Sequence, residues 1–236
     1  MKKSIMFFAF ILGVSSFAFA IQETWFSLGY QQAFSVDTYK DDGVATETYT
    51  VSRGANISAY RFFTDNVGIF VHGSLLFPSS GWVFNNDGLS PVDFNGYAIN
   101  NQIGLILGAA FKFDITDDFN SYFGIGLDYL YASATYSGLG NVSYDRMQSS
   151  LGIGADAGVK VDLADRFFVK VGSTFTFDFA RHTTLDTYNG VATGDSFSGW
   201  DKGFLMLGAN PYLSVGINLF WTEDNGRFRL VTGKEK

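Results

Sequence analysis

Between residues 121 and 132 the chain reads SYFGIGLDYLYA, and its side chains alternate in kind. Phe123, Ile125, Leu127, Tyr129 and Tyr131 share one parity, while Tyr122, Gly124, Gly126 and Asp128 share the other. Successive side chains of a β-strand point to opposite faces, so Asp128 and Leu127 need not meet the same surroundings. The same alternation marks eight segments in all, over approximately 24–35, 51–63, 67–77, 97–113, 121–135, 147–161, 167–180 and 204–221. Most are about a dozen residues or longer, against five or six for a strand of a soluble domain and roughly nine to eleven for a membrane crossing.

The connections alternate too. Short turns, TDN (64–66), DITDD (114–118) and DLADR (162–166), follow the second, fourth and sixth segments and hold the Asp or Asn that favours tight reversals. Long polar stretches, 36–50, 78–96, 136–146 and 181–203, follow the others. This pattern predicts an all-β fold, an eight-stranded antiparallel up-and-down transmembrane β-barrel, with short turns at one end and four long loops at the other.

The two faces differ in composition. From the second segment onward odd positions are apolar, among them Ile57, Leu75, Leu105, Ile125, Leu127, Ile153, Val171 and Val215; the first segment has the opposite parity, with Phe26, Leu28 and Tyr30. The other face holds glycine, serine and asparagine, with Gln102, Asp128, Gln148, Asp156, Lys160 and Lys170 as its polar and charged members. A water-exposed face of eight long strands calls for many more charges. An eight-stranded bore has room only for side chains, which suits small residues. The apolar face is therefore assigned to lipid and the small, polar face to the lumen.

Aromatic residues gather where strands meet the short turns: Trp25 and Phe26, Phe62 and Phe63, Phe111 and Phe113, Phe119 and Phe123, Phe167 and Phe168, Phe220 and Trp221. They are read as an interfacial girdle. Pro211 cannot donate to a ladder and suggests a bulge or the outer end of the last strand. A lumenal Asp128 needs donors, with Lys160, Lys170 and Gln148 as candidates.

Residues 1–20, MKKSIMFFAFILGVSSFAFA, carry a cationic start, an apolar run and Ala18-Phe19-Ala20, the pattern of a cleaved export signal. The expected organisation is a signal peptide (1–20), a barrel (21–221) and a short periplasmic tail (222–236). Cysteine is absent, so burial and closure replace disulfides. Removing the two signal lysines from the 16 basic residues leaves 14 against 23 acidic ones, which argues against nucleic acid as a partner.

With the signal, the meander and the closing stretch PYLSVGINLFW (211–221), the chain resembles small eight-stranded outer-membrane barrels of the outer membrane protein A (barrel), X and W type. The resemblance implies a location in the outer membrane, contact with its lipid, and delivery by the assembly machinery that reads a final aromatic-ended strand. Similarity of NPYLSVGINLF to outer membrane protein W implies small hydrophobic ligands.

Catalytic chemistry is sparse. His72 and Ser74 have the His-x-Ser spacing of outer-membrane lipid A deacylases, but their parity turns both into the lumen, away from lipid. His182 lacks an identifiable triad partner, and the two histidines without cysteine offer no transition-metal set. YKDDGVATE (39–47) lacks calcium-loop spacing, and the Gly-x-Gly pairs precede no helix. The expectation is a non-enzymatic barrel without cofactor, whose outer loops meet an extracellular ligand or host surface through Trp82, Phe84, Tyr188 and Trp200. The alternative is a narrow channel or transporter for small or hydrophobic solutes, and the remote one a lipid hydrolase.

Overall fold

The computed structural model describes residues 22–41, 44–85, 88–92, 97–137, 142–164, 166–189, 192–224 and 227–231. The expected signal peptide and its cleavage site lie outside the described residues. Eight long strands form a closed antiparallel ring: β1 (Gln22–Asp41), β2 (Val44–Phe62), β3 (Val67–Asn85), β5 (Tyr97–Asp114), β6 (Phe119–Ser137), β7 (Val142–Asp162), β8 (Phe167–Asn189) and β10 (Leu205–Asp224). Pairing of β10 with both β1 and β8 closes it. Closure leaves the ring no open edge within its wall, which meets the hydrogen-bonding demand of a hydrocarbon environment.

Three shorter strands lie outside the ring. β4 (Gly88–Pro91) pairs with the far end of β3, β9 (Ala192–Trp200) with the far end of β8, and β11 (Arg227–Val231) folds back on β10 below the barrel. The strands run well past the alternating segments. Residues 36–41 and 44–50, expected as part of a loop, are the paired upper ends of β1 and β2, with Val36 opposite Tyr49 and Asp41 opposite Val44. Polar composition marks these extensions as solvated, but it does not stop their backbones from pairing.

The short turns are tight. The amide of Phe63 donates to the Val67 carbonyl (2.9 Å), that of Ile115 to Phe119 (2.9 Å) and that of Leu163 to Phe167 (2.8 Å). Thr64 Oγ1 accepts from the Val67 amide at 3.0 Å and stiffens the first turn.

The apolar parity faces outward. Leu28, Ile57, Leu127, Val171, Leu213 and Val215 are all exposed, Leu127 at 67%. Leu127 and Ile153 are direct cross-strand partners, as are Leu28 and Val215. Such a belt of bare aliphatic side chains is tolerable only where hydrocarbon covers it.

The aromatic girdle needs correction. Phe26, Phe113, Phe123 and Phe167 do face outward, but Trp25, Phe62, Phe168 and Phe220 are buried in the lumen. Trp25, Phe62 and Phe168 join Tyr60, Phe70 and Tyr122 in a packed cluster toward the short-turn end. Trp25 and Phe62 have ring centroids 4.7 Å apart, and Tyr60 sits 5.4 Å from both Phe70 and Tyr122. The lumenal glycines make space for these rings: a Cβ on Gly124 would lie 2.6 Å from the Phe70 ring, and one on Gly216 would overlap Phe168.

Pro211 lies at neither a bulge nor a strand end. It is in mid-β10, and the β1–β10 register is the same on both sides of it. The ladder skips Gln32 and Ala33 on β1 and Asn210 and Pro211 on β10, as expected where a proline removes the donor. Ser173, the lone small polar residue of its stripe, pairs with Pro211 from the β8 side.

Candidate functional site

The lumen is layered. Nearest the short turns, Lys112 reaches Glu23 (2.6 Å) and Lys160 reaches Asp162 (2.6 Å), and Asn218 donates to the same Asp162 (2.6 Å). Lys160 Nζ also lies 4.6 Å from the Trp25 ring, joining the ionic layer to the aromatic cluster.

Above the rings Asp156 forms a hub. Tyr60 donates to its Oδ2, Tyr212 to its Oδ1 (2.6 Å), and His72 Nδ1 lies 3.1 Å from Oδ2. Lys170 Nζ stands 3.9 Å away, donates to Ser58 Oγ (2.7 Å) and sits over the Tyr60, Tyr122 and Tyr212 rings. Asp156, Lys160 and Lys170 are wholly inaccessible. A buried carboxylate survives only with this density of donors and opposite charge. The hub couples β2, β3, β7, β8 and β10, and it completes a plug across the bore.

Toward the long-hairpin end the lumen opens. A cavity of about 40 Å³ is lined by Asp128, His72, Ser74, Gln102 and Asn210, among others. Beyond it lies a vestibule of about 110 Å³, bordered by Gln102, Gln148, Ser150, Arg146, Arg181 and Phe204. Arg181 clamps one side: it donates to Asp37 (2.6 Å) and Asp201 and stacks over Phe204 at 4.2 Å.

A bulge produces this clamp. Leu151 pairs with Ala180 but Gly152 with Asp178, which leaves Phe179 as the extra residue of β8. Below it even positions face the lumen, as with Asp178; above it Arg181 and Thr183 do. Bulges re-aim side chains in this way. Nothing in the alternation of 167–180 announces it.

Asp128, Asp156, Lys160, Lys170, Gln102 and Gln148 line the bore, but they form no single cluster. Lys170 and Asp156 meet; Lys160 belongs to the layer nearest the short turns; Gln102 and Gln148 belong to the vestibule, where Gln102 accepts from Ser52 (3.4 Å) and Gln148 donates to Thr183 (3.3 Å). Asp128 meets none of Lys160, Lys170 or Gln148. Its neighbour is a second carboxyl, Asp178, which sequence reasoning passed over because that pairing spans two strands.

Trp82 and Phe84 project outward from the upper part of β3, and Trp200 is 69% exposed at the end of β9, edge-on to His182 at 5.4 Å. The Tyr188 backbone belongs to β8, but its side chain lies outside the described residues. Trp82 and Phe84 join Phe34, Tyr49, Leu89 and Leu207 along an apolar trough of about 960 Å³ on the outer wall. His72 and Ser74 both face the lumen, and the second nitrogen of His72 is 3.2 Å from Gln31 Oε1.

No protein-family model and no curated protein sequence matches the chain. Among solved structures it is similar to the outer membrane protein OprG from Pseudomonas aeruginosa, with a TM-score of 0.60 and 12% identity over 84% of this chain and 96% of that one. It is also similar to the outer membrane protein AlkL (TM-score 0.48, 12% identity, 89% of this chain and 94% of that one). A third is Ail, the attachment invasion locus protein of Yersinia pestis (TM-score 0.45, 14% identity, 83% and 97%). The likeness is one of fold: the chain has the architecture of the small eight-stranded outer-membrane β-barrels. That architecture and the apolar exterior place it in the outer membrane.

Proposed function

We propose that the barrel is a closed, non-enzymatic scaffold that holds rigid β-hairpins above the outer membrane for contact with an extracellular ligand or host surface. The plug carries this reading. Rings, the Asp156 hub and the Lys112–Glu23 and Lys160–Asp162 layer fill the bore across its section, while the strands continue past it into paired extensions. Aromatic side chains such as Trp82, Phe84 and Trp200 supply contact area on those extensions. The remaining partners in this reading are outer-membrane lipid and the assembly machinery that handles the last strand. Both ring nitrogens of His72 face partners of the plug, Asp156 and Gln31, which supports a structural role for this residue.

Single-barrel recordings in planar bilayers test this proposal. The closed scaffold gives no stable openings, and replacing the outer hairpins leaves the barrel folded while abolishing surface attachment. Reproducible unitary conductance from the wild-type chain would contradict it.

One observation favours a second reading, uptake of small hydrophobic solutes through the wall. Beside the skipped β1–β10 pairs, Ser35 and Gly208, which are themselves paired, border both the outer apolar trough and the inner cavity. The β1–β10 ladder is interrupted close beside them, at Gln32 and Ala33 opposite Pro211 and Asn210.

A further inference from the structure

Above the plug the lumenal face is laid out in rows across β5, β6 and β7. Asn100, Ala134 and Arg146 are direct cross-strand partners in one row, and Gln102, Ala132 and Gln148 in the row beneath it. Direct partners on neighbouring strands project to the same side, so each alanine of β6 stands between two longer polar side chains. The methyl groups in the middle leave a recess open to the vestibule that Gln102, Ala132, Arg146 and Gln148 border.

The donors around this recess are not used up. Arg146 has neither an ion pair nor a side-chain hydrogen bond among the described residues. Its sequence neighbour Asp145 takes the opposite parity and pairs with Asp186 on the outer face. The other vestibule arginine, Arg181, is held by Asp37 and Asp201, and Asp128 lies three rows deeper than Arg146. The uncompensated charge at this level is therefore the guanidinium of Arg146. Asn100 Nδ2 is buried and has no acceptor. Gln102 accepts from Ser52 through Oε1, and its NH2 is unengaged among the described residues. A buried amide N–H without an acceptor carries a desolvation cost that a bound acceptor removes.

We propose that this recess binds the carboxylate of a small polar solute that enters from the long-hairpin side. Guanidinium and amide NH2 groups only donate, which selects an anion. A guanidinium presents parallel N–H groups that match the two oxygens of a carboxylate, and the amides of Asn100 and Gln102 supply donors for the remaining lone pairs. The vestibule has a volume of about 110 Å³, and the packed rings beneath it bar passage along the bore, so the recess is a terminal binding site.

The full chain, labelled with 15N and folded in detergent, is titrated with sodium acetate while backbone amide shifts are followed. Acetamide, which has the same shape without the charge, is the control. The expected result is saturable shifts around Ala132, Ala134 and Arg146 with a dissociation constant of about 1–10 mM, and none with acetamide. Arg146→Gln weakens binding about tenfold or more, and Asn100→Ala and Gln102→Ala each weaken it about two- to tenfold. Should a variant fail to fold, the contrast between acetate and acetamide in the wild type decides. Absence of saturable shifts at about 100 mM acetate overturns the proposal, as do equal responses to acetamide or binding that Arg146→Gln retains. So does a recess that takes sulfate or phosphate and refuses acetate, since it then fits a tetrahedral anion.

Discussion

The ring of Phe70 on β3 occupies the space in front of Gly124 on β6, where a Cβ would stand 2.6 Å from it. The glycine and the ring are complementary parts of one plug. Gly124→Val therefore overpacks the bore and destabilises the barrel by about 1–3 kcal/mol. Phe70→Ala leaves a cavity and costs about 3–5 kcal/mol. In the double variant the two losses are less than additive, because the valine occupies part of the vacated space. Urea unfolding in detergent reads all three.

Asp156→Asn strands Lys170, which is wholly buried and has Asp156 as its carboxylate neighbour. The expected loss is about 3–5 kcal/mol, the cost of breaking one side of a buried pair. Asp156→Asn with Lys170→Met removes both charges and recovers most of it. Unfolding midpoints of the two variants, compared directly, check this.

Leu127→Arg introduces a charge on the lipid side of β6, next in sequence to the lumenal Asp128. Near mid-bilayer this costs about 2–4 kcal/mol. Folding titrations into vesicles measure it, and an unchanged folding free energy would remove Leu127 from the hydrocarbon.

Pro211→Ala restores an amide opposite Gln32 in the β1–β10 seam. The variant is expected to be equally or more stable, with the added ladder bond worth about 1 kcal/mol. If hydrophobic solutes cross the wall at this seam, their uptake by cells falls in the variant while hairpin-mediated attachment stays the same.

Parity made the fold legible: a period of two, sustained over eight long runs and broken by three tight turns, leaves few architectures. It also contained more than was drawn from it. Trp25 opposes the apolar parity of its strand, and Tyr60 and Phe62 lie on the even stripe, so the same rule that sent Asp128 inward sends these rings inward too. Grouping them with neighbouring outward rings as a girdle hid the plug. Other features were out of reach. The meeting of Asp156 with Tyr60, His72 and Tyr212 depends on strand offsets that no single strand encodes. The inward turn of Arg181 depends on one extra residue, Phe179, in a run whose alternation reads as unbroken up to Ala180.

The central claim is that the two faces of each strand see different media, hydrocarbon outside and a sealed lumen inside. Single-cysteine scanning from 122 to 131, in a background free of other cysteines, tests it most directly. With a bilayer-confined thiol reagent, positions 123, 125, 127 and 129 label and positions 122, 124, 126 and 128 stay protected from both lipid-borne and aqueous reagents. Aqueous labelling of the even positions together with silence at the odd ones would contradict the account.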